Sequence, residues 1–152
     1  MKVYFVRHAQ SAFNAQDLLH QYHEGELSEF GLKQAEFVAQ RFSRISLDVI
    51  ISSPYERARE TATMISSVVQ REVVFSDLLS EFKGPRELEG KRKDDPEVVR
   101  INSLMTKHRN NPEWKYSDEE SFGELRSRAG KVLDFLAAQP YENILCITHG
   151  LF

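Results

Sequence analysis

Residues 4–14 read YFVRHAQSAFN, and the apolar run that opens this stretch stops at Arg7 and His8. The aromatic and aliphatic residues at 4–6 favour burial, whereas arginine and histidine ordinarily stay at the surface. A guanidinium beside an imidazole at the end of a buried strand is either a paired structural feature or a binding site. The remaining motifs of the chain bear on that choice.

Four short apolar runs predict β-strands. Their continuous apolar character indicates strands that are buried on both faces, as in a parallel sheet. The runs are Lys2–Val6, Leu47–Ile51, Val73–Phe75 and Ile144–Thr148.

Helical periodicity fills the segments between these strands, at residues 27–42, 52–69 and 121–138. Two of these segments open with helix-start signals. Ser53 is predicted to cap a helix, with Pro54 at its first position and Glu56 completing a capping box, and Ser121 with Glu124 repeats the pattern. The alternation of strands and helices predicts an α/β fold with three αβα layers around a mostly parallel sheet.

Residues 82–117 differ from the rest because they are polar, charged and poorly periodic. We expect them to form a lid-like insertion over one edge of a single domain spanning 1–152, with a helix near 96–108. Within this insertion, residues 83–93 carry five basic and two acidic side chains, a net charge of 5 − 2 = +3. This run is either a solvated face or a contact for a second anionic group on a ligand, and the sequence favours neither interpretation.

The composition excludes several classes of function. The net charge of −3 gives no general basic surface for nucleic acid, and no apolar run approaches the roughly 20 residues of a membrane span. The single cysteine, Cys146, lies in an apolar run and is expected in the core. These features predict a cytoplasmic protein with no membrane partner. The oligomeric state stays open, with a dimer among the options.

Charged and imidazole side chains follow three of the predicted strands. Arg7 and His8 end the first strand, His149 and Gly150 end the last, and Arg57 lies in the first turns of the helix after the second. The carboxyl ends of parallel strands border the crevice where ligands bind, and that helix start also offers unpaired N–H groups and a positive dipole. Such a cluster predicts an anion pocket, and guanidinium groups are best matched to phosphate or carboxylate.

The order of motifs resembles the histidine phosphatase superfamily, also called phosphoglycerate mutase-like. The resemblance rests on RHAQSAFN at 7–14, LSEFGLKQA at 27–35, ISSPYERARETA at 51–62, LLSEFKGPRELEG at 78–90, EESF at 119–122 and ITHG at 147–150. Two departures stand out. Ala9 occupies a position where the family usually has glycine, and the chain stops at Phe152 where family members normally continue with a helix, so either the chain is cut short or this member is unusual.

The resemblance implies a role for each site residue. His8 is the nucleophile that takes the phosphoryl group, and a protonated His149 stabilises charge in the transition state. The groups implied to hold the phosphate are Arg7, Asn14, Arg57 and Gly150. No metal or other cofactor is implied, and the expected partner is a small phosphorylated substrate or free phosphate.

The proton donor to the leaving group has three candidates, Glu81, Glu87 and Glu89. Glu81 is favoured because the two preceding leucines indicate buried surroundings, which raise the pKa of a carboxyl group. His20 and His23 have a spacing that a metal ion could use, but without a neighbouring cysteine or carboxylate they are expected to be structural.

The sequence therefore predicts a metal-independent phosphomonoesterase that works through phosphohistidine. A phosphoglycerate-type mutase is the alternative enzyme, and a non-catalytic phosphate-binding module of the same fold is the alternative from another class.

Overall fold

Four parallel strands form the sheet of the computed structural model, which describes residues 1–150. They are β1 (Lys2–Arg7), β2 (Val49–Ser52), β3 (Val73–Phe75) and β4 (Asn143–Thr148), in the spatial order β1-β4-β2-β3. The register pairs Phe5 of β1 and Ile51 of β2 with Cys146 of β4, so β4 lies between β1 and β2. All four strands were expected from the sequence, with ends that differ by at most two residues.

Helices cover both faces of this sheet. They are α1 (Ala12–Ala15), α2 (Glu29–Phe42), α3 (Glu56–Val69), α4 (Pro96–His108) and α5 (Phe122–Ala137), with 3₁₀ turns at Asp77–Leu79 and Arg86–Leu88. Apolar residues of α2 and α3 pack on one face of β2 and β4, and those of α5 pack on the other. The predicted three-layer αβα architecture is therefore confirmed. Within residues 1–150, no helix combines the length and apolar character needed to cross a bilayer, and the expected continuation past Phe152 lies outside the described residues.

Burial on both faces is confirmed for β2 and β4 but is wrong for the outer strands. Every residue of β2 is buried, whereas Phe5 of β1 is 48% exposed and Phe75 of β3 is 42% exposed. The difference follows from position, because β1 and β3 are the outer strands of the described sheet and receive less cover from the helices. β propensity therefore predicted the positions of the strands correctly but did not show how deeply each strand is buried.

The predicted start of α3 is wrong by about two residues. The helix begins at Glu56 after the N-cap residue Tyr55, and no side chain caps it. The Ser53 hydroxyl and the Glu56 carboxylate have other partners, since the hydroxyl meets His149 and the carboxylate accepts the Gly25 N–H at 2.9 Å. The second predicted capping box, between Ser121 and Glu124 at the start of α5, is confirmed.

The segment 82–117 contains α4 at Pro96–His108, as expected, and carries a small apolar cluster. Its buried members are Leu88, Val98 and Ile101. Each basic side chain of residues 83–93 forms an ion pair: Lys83 and Arg86 with Asp118, Lys91 with Glu97, Arg92 with Asp94, and Lys93 with Asp17. These pairs favour the solvated-face interpretation of the run over a contact with a second anionic group.

Candidate active site

The carboxyl ends of β1, β4 and β2 bring His8, His149 and Ser53 together. The His8 N–H donates to the Thr148 carbonyl at 2.8 Å, and the Ser53 N–H donates to the Ile147 carbonyl at 2.9 Å. The two imidazole rings lie 5.1 Å apart between centroids, and both residues are buried. The sheet therefore extends its hydrogen bonding into the site and fixes the backbone of His8 and Ser53.

The tautomer of His8 follows from its neighbours. Its Nδ1 lies 2.7 Å from the carbonyl oxygen of Ala9, which can only accept, so Nδ1 carries the proton. Its Nε2 accepts the Nε–H of Arg57 at 3.3 Å, which requires a free lone pair on that nitrogen. Burial lowers the pKa of His8 to about 4, the Ala9 hydrogen bond opposes this, and the charges of Arg57 and Arg7 add to the lowering. His8 is a neutral imidazole with an available nucleophilic nitrogen.

The backbone behind His8 is held by contacts that the Ala9 departure does not disturb. The Ala9 N–H donates to Thr61 Oγ1 at 3.1 Å, and its side chain packs with Leu27 and Ala35. Ala9 does not adopt a left-handed conformation, which among non-glycine residues of 1–150 occurs only at two distant positions. The alanine therefore fits where a glycine is usual. Gly31 is the residue that must lack a side chain, because a Cβ there would lie 2.0 Å from the Gln10 carbonyl oxygen.

The three nitrogens of the Arg57 guanidinium group have different surroundings. Besides the Nε contact with His8, its Nη1 donates to the Tyr22 carbonyl at 2.9 Å. Its Nη2 is buried and has no hydrogen-bond partner among the described residues. Burial lowers the pKa of Arg57, and the carboxylate of Glu81 acts in the opposite direction. A buried guanidinium N–H without a partner is suited to an oxyanion.

His149 is the second buried imidazole of the site. Its Nε2 lies 2.8 Å from Ser53 Oγ, while its Nδ1 is buried without a hydrogen bond in the described residues and lies 3.6 Å from Glu81 Oε2. Burial lowers the pKa of His149 to about 2, with further lowering by Arg57, His8 and Arg7. Burial and the neighbouring positive charges thus disfavour the cationic form of His149, and its protonation in the transition state stays a prediction.

The structure separates the three candidate proton donors. Glu81 lies beside His149, as favoured from the sequence. Glu89 is occupied elsewhere, since it pairs with His20 and accepts the Gln21 N–H at 3.0 Å. Glu87 accepts the Ser117 hydroxyl at 2.8 Å on an exposed part of the surface. Of the three carboxylates, the one next to the paired histidines is that of Glu81.

The remaining predicted phosphate ligands are less enclosed. Asn14 Oδ1 accepts the Ser11 N–H at 3.3 Å in the capping box of α1, and the donor group of this side chain is its NH₂. Arg7 is exposed, and its guanidinium lies against Gly150, where a Cβ would be 3.3 Å from Arg7 Cζ. Gly150 therefore allows the close approach of Arg7 to the backbone after His149.

Most of the N–H groups at the start of α3, which were predicted to be open, already have partners. The Glu56 N–H donates to the His23 carbonyl at 2.8 Å, and the N–H groups of Ala58 and Arg59 donate to Tyr55 O. Anion binding at this edge therefore falls mainly to side chains.

Tyr55 is a site residue that sequence reasoning missed. Its ring lies 5.1 Å from the ring of His149, 4.4 Å from that of His23, and 5.2 Å from Arg57 Cζ. Tyr55 thus forms an aromatic wall between the exposed His23 and the buried site. The sequence feature that could have identified Tyr55 is its place in the ISSPYERARETA motif, two residues before Arg57.

His20 and His23 have separate partners. His20 contacts Glu89 and the Glu24 carbonyl through its two ring nitrogens and stacks on Phe13 at 4.0 Å. His23 packs on Tyr55 instead. The structural interpretation of this pair fits these contacts.

Comparison with known proteins agrees with this geometry. The sequence pattern of the histidine phosphatase superfamily (branch 1) matches residues 3–152, and the chain belongs to that superfamily. A Hydrogenobacter thermophilus protein whose name assigns it to the phosphoserine phosphatases is 29% identical over 98% of this chain and 73% of its own length. A Proteus mirabilis protein named among the phosphoglycerate mutases is 26% identical over 99% of this chain and 70% of its own length.

The fold is shared with solved structures as well. The α-ribazole phosphatase of Shigella flexneri superposes with a TM-score of 0.79, at 23% identity, over 98% of this chain and 74% of that one. The family match and the phosphatase relatives identify the chain as a phosphatase of this superfamily.

Proposed function

We propose that the protein is a metal-independent phosphomonoesterase that hydrolyses a small phosphorylated substrate through a phosphohistidine intermediate on His8. The observation that carries this proposal is the state of His8, whose Nδ1–H bond to the Ala9 carbonyl leaves Nε2 unprotonated beside the Arg57 guanidinium. A neutral imidazole nitrogen is a good nucleophile near pH 7.

In the first step, Nε2 of His8 attacks phosphorus and the bond between phosphorus and the ester oxygen breaks. The departing alkoxide takes a proton from the Glu81 carboxyl group, which supplies it as a general acid. In the second step, Glu81 accepts a proton from water, which attacks the phosphohistidine and releases inorganic phosphate and free His8. Glu81 ends the cycle protonated, as it began.

Charge on the phosphoryl oxygens is stabilised by donors that are already in place. Arg57 Nη2 and His149 Nδ1 are buried and without hydrogen-bond partners in residues 1–150, so binding an oxyanion satisfies them. Arg7 adds a second guanidinium, and Asn14 and Gly150 complete the proposed set of phosphate ligands. The protein thus supplies two full positive charges next to the nucleophile.

Those charges also support a reaction without metal. The donor atoms of His8, Glu81 and His149 lie within 4.8 Å of one another, which is near enough for a metal ion. Two guanidinium groups at the same place repel a cation, however, and perform the charge stabilisation that a metal would otherwise provide. Cytoplasmic location and the absence of a nucleic-acid partner remain parts of this proposal.

Hydrolysis, rather than mutase activity, is supported by the segment 82–117. A mutase must bind an intermediate that carries a second charged group and must keep water from the phosphohistidine. The basic side chains of residues 83–93 are already paired with carboxylates, as described above. A second anionic group would have to displace those partners.

We therefore expect release of inorganic phosphate from phosphomonoesters in buffer containing EDTA. The test is a panel that includes phosphoserine, α-ribazole phosphate and p-nitrophenyl phosphate, together with 3-phosphoglycerate primed with a trace of 2,3-bisphosphoglycerate. Rapid isomerisation with little phosphate released would identify a mutase. Activity that EDTA removes and zinc or manganese restores would contradict the metal-free mechanism.

The role of Glu81 gives a second prediction. Changing Glu81 to glutamine removes the acid, so we expect hydrolysis of alkyl phosphates to slow by about 10²-fold. The rate with p-nitrophenyl phosphate should change far less, because that leaving group hardly needs a proton. The measurement is kcat/KM for both substrate types.

The control is Glu87→Gln, which alters an exposed carboxylate outside the cluster of histidines. It should leave both rates unchanged. A small, uniform effect at Glu81 combined with a large effect on alkyl phosphates at Glu87 or Glu89 would move the proton donor to that residue.

A further inference from the structure

The hydroxyl group of Ser53 is buried against the ring of His149. Ser53 has no exposed surface, and its Oγ lies 2.8 Å from His149 Nε2. The same oxygen accepts the Tyr55 N–H at 3.3 Å. These two contacts are the hydrogen bonds that the described residues give this hydroxyl.

The pattern of donors and acceptors decides which atom holds the hydrogen. A serine hydroxyl has one hydrogen to donate and lone pairs with which to accept. Tyr55 uses one lone pair, so the hydroxyl hydrogen needs an acceptor of its own, because a buried donor without one is costly. His149 Nε2 is the acceptor within reach in residues 1–150. The hydroxyl therefore donates to Nε2, and the ring proton of His149 must be on Nδ1.

From this arrangement we infer that Ser53 is a positioning residue, which holds His149 in the Nδ1–H tautomer and directs that N–H to the phosphoryl oxygens. The inference rests on the proposed function for the identity of the oxyanion. His149 Nδ1 is the buried atom without a partner, on the side of the ring that faces Glu81. His149 thus acts as a neutral hydrogen-bond donor, in keeping with the burial that disfavours its cationic form.

The Nδ1–H tautomer of His149 also affects the proton transfer from Glu81, because Nδ1 then cannot accept the hydrogen of the Glu81 carboxyl group. Glu81 Oε2 lies 3.6 Å from His149 Nδ1. If Nδ1 carried a lone pair instead of a proton, it would offer an acceptor to the protonated carboxyl group and compete with the leaving group for its hydrogen. With a proton already on Nδ1, the Glu81 hydrogen is available to the departing alkoxide. Ser53 therefore supports both the hydrogen bond from His149 and the proton transfer from Glu81 without touching the substrate.

The experiment compares Ser53→Ala with Ser52→Ala. Ser52 is the matched control because it is the preceding residue, is equally buried, and donates to the Ser53 carbonyl at 2.9 Å with no hydrogen bond to His149. Long-range ¹H–¹⁵N NMR spectra of the full chain report the tautomer of each of the five histidines, and the His149→Asn variant identifies the His149 signals. Steady-state kinetics with an alkyl phosphate report kcat and KM.

In the unaltered protein we expect a pyrrole-type Nδ1 and a pyridine-type Nε2 at His149. Ser53→Ala should give mixed tautomers and lower kcat by roughly 10- to 100-fold, somewhat less than deletion of a positioned donor itself, with a smaller change in KM. Ser53→Thr keeps the hydroxyl group and should restore the tautomer. Ser52→Ala should behave like the unaltered protein in both measurements.

An Nε2–H tautomer in the unaltered protein overturns the inference, and this outcome does not depend on whether Ser53→Ala folds. Unchanged kcat and an unchanged tautomer in folded Ser53→Ala overturn it as well. Failure of the unaltered protein to release phosphate from any phosphomonoester would instead overturn the proposed function, because the tautomer is measured without turnover.

Discussion

Replacing His8 with alanine is expected to abolish turnover, with a fall in kcat on the order of 10⁴- to 10⁶-fold, as for other enzymes that lose their nucleophile. The reason is the single lone pair on Nε2, which no other described side chain presents at the same place beside Arg57. The fold should survive, since His8 follows the end of β1 and its removal takes away a buried polar ring rather than core volume. Circular dichroism and thermal unfolding check the fold alongside the rate.

Trapping the phosphorylated enzyme during turnover tests the role of His8 directly. Enzyme quenched in base during turnover should carry a phosphoryl group that is stable to base and labile to acid, located on His8. The control is His108→Ala, because His108 stacks on Trp114 at 4.6 Å at the end of α4, away from the site. That variant should keep full activity and the same labelled peptide. Normal turnover by His8→Ala would contradict the phosphohistidine mechanism.

Changing Arg57 to lysine should have the next largest effect, a fall in kcat/KM of about 10²- to 10³-fold. The charge is kept, but one ammonium group cannot replace a guanidinium that contacts His8, the Tyr22 carbonyl and an oxyanion from three separate nitrogens. We also expect inorganic phosphate to raise the melting temperature of the unaltered protein and to raise that of the variant far less.

Arg59→Lys provides the comparison for this change. Arg59 lies two positions further along α3, is exposed, and stacks over Phe75 at 4.8 Å. The same substitution there should leave kcat/KM and the response to phosphate unchanged. Equal losses in the two variants would mean that the helix, rather than the Arg57 guanidinium, is responsible.

The fold was predictable because local signals and long-range packing agree along most of the chain. Apolar runs locate all four strands, and helical spacing locates α2 and α5. The meeting of His8 with His149 follows from the parallel sheet alone, since two neighbouring strands end at one edge. The exposure of Phe5 was not predictable, because a strand's own residues do not show whether it is an inner or an outer strand.

The finer chemistry of the site was less accessible from sequence. Ser53 has every local feature of a helix cap, yet its hydroxyl bonds to a histidine 96 residues away. The lowered pKa of His149 was inaccessible for a related reason, because it depends on burial and on charges that the fold brings from elsewhere. Side chains whose partners are distant in the chain are those for which pattern and spacing carry least information.

The two buried imidazoles make unfolding a proton-uptake reaction in mild acid. In an unfolded chain a histidine has a pKa near 6.5, whereas folded His8 has a pKa of about 4 and folded His149 one of about 2. As pH falls below 6.5, these two histidines bind protons in the unfolded chain but stay neutral in the folded one. The free energy of unfolding therefore declines until the pH reaches the pKa of the folded state. For His8 alone the loss is on the order of 3 kcal/mol, a large share of the 5–15 kcal/mol by which domains of about this size are typically stable. Keeping a nucleophile unprotonated at neutral pH thus leaves the molecule vulnerable to acid.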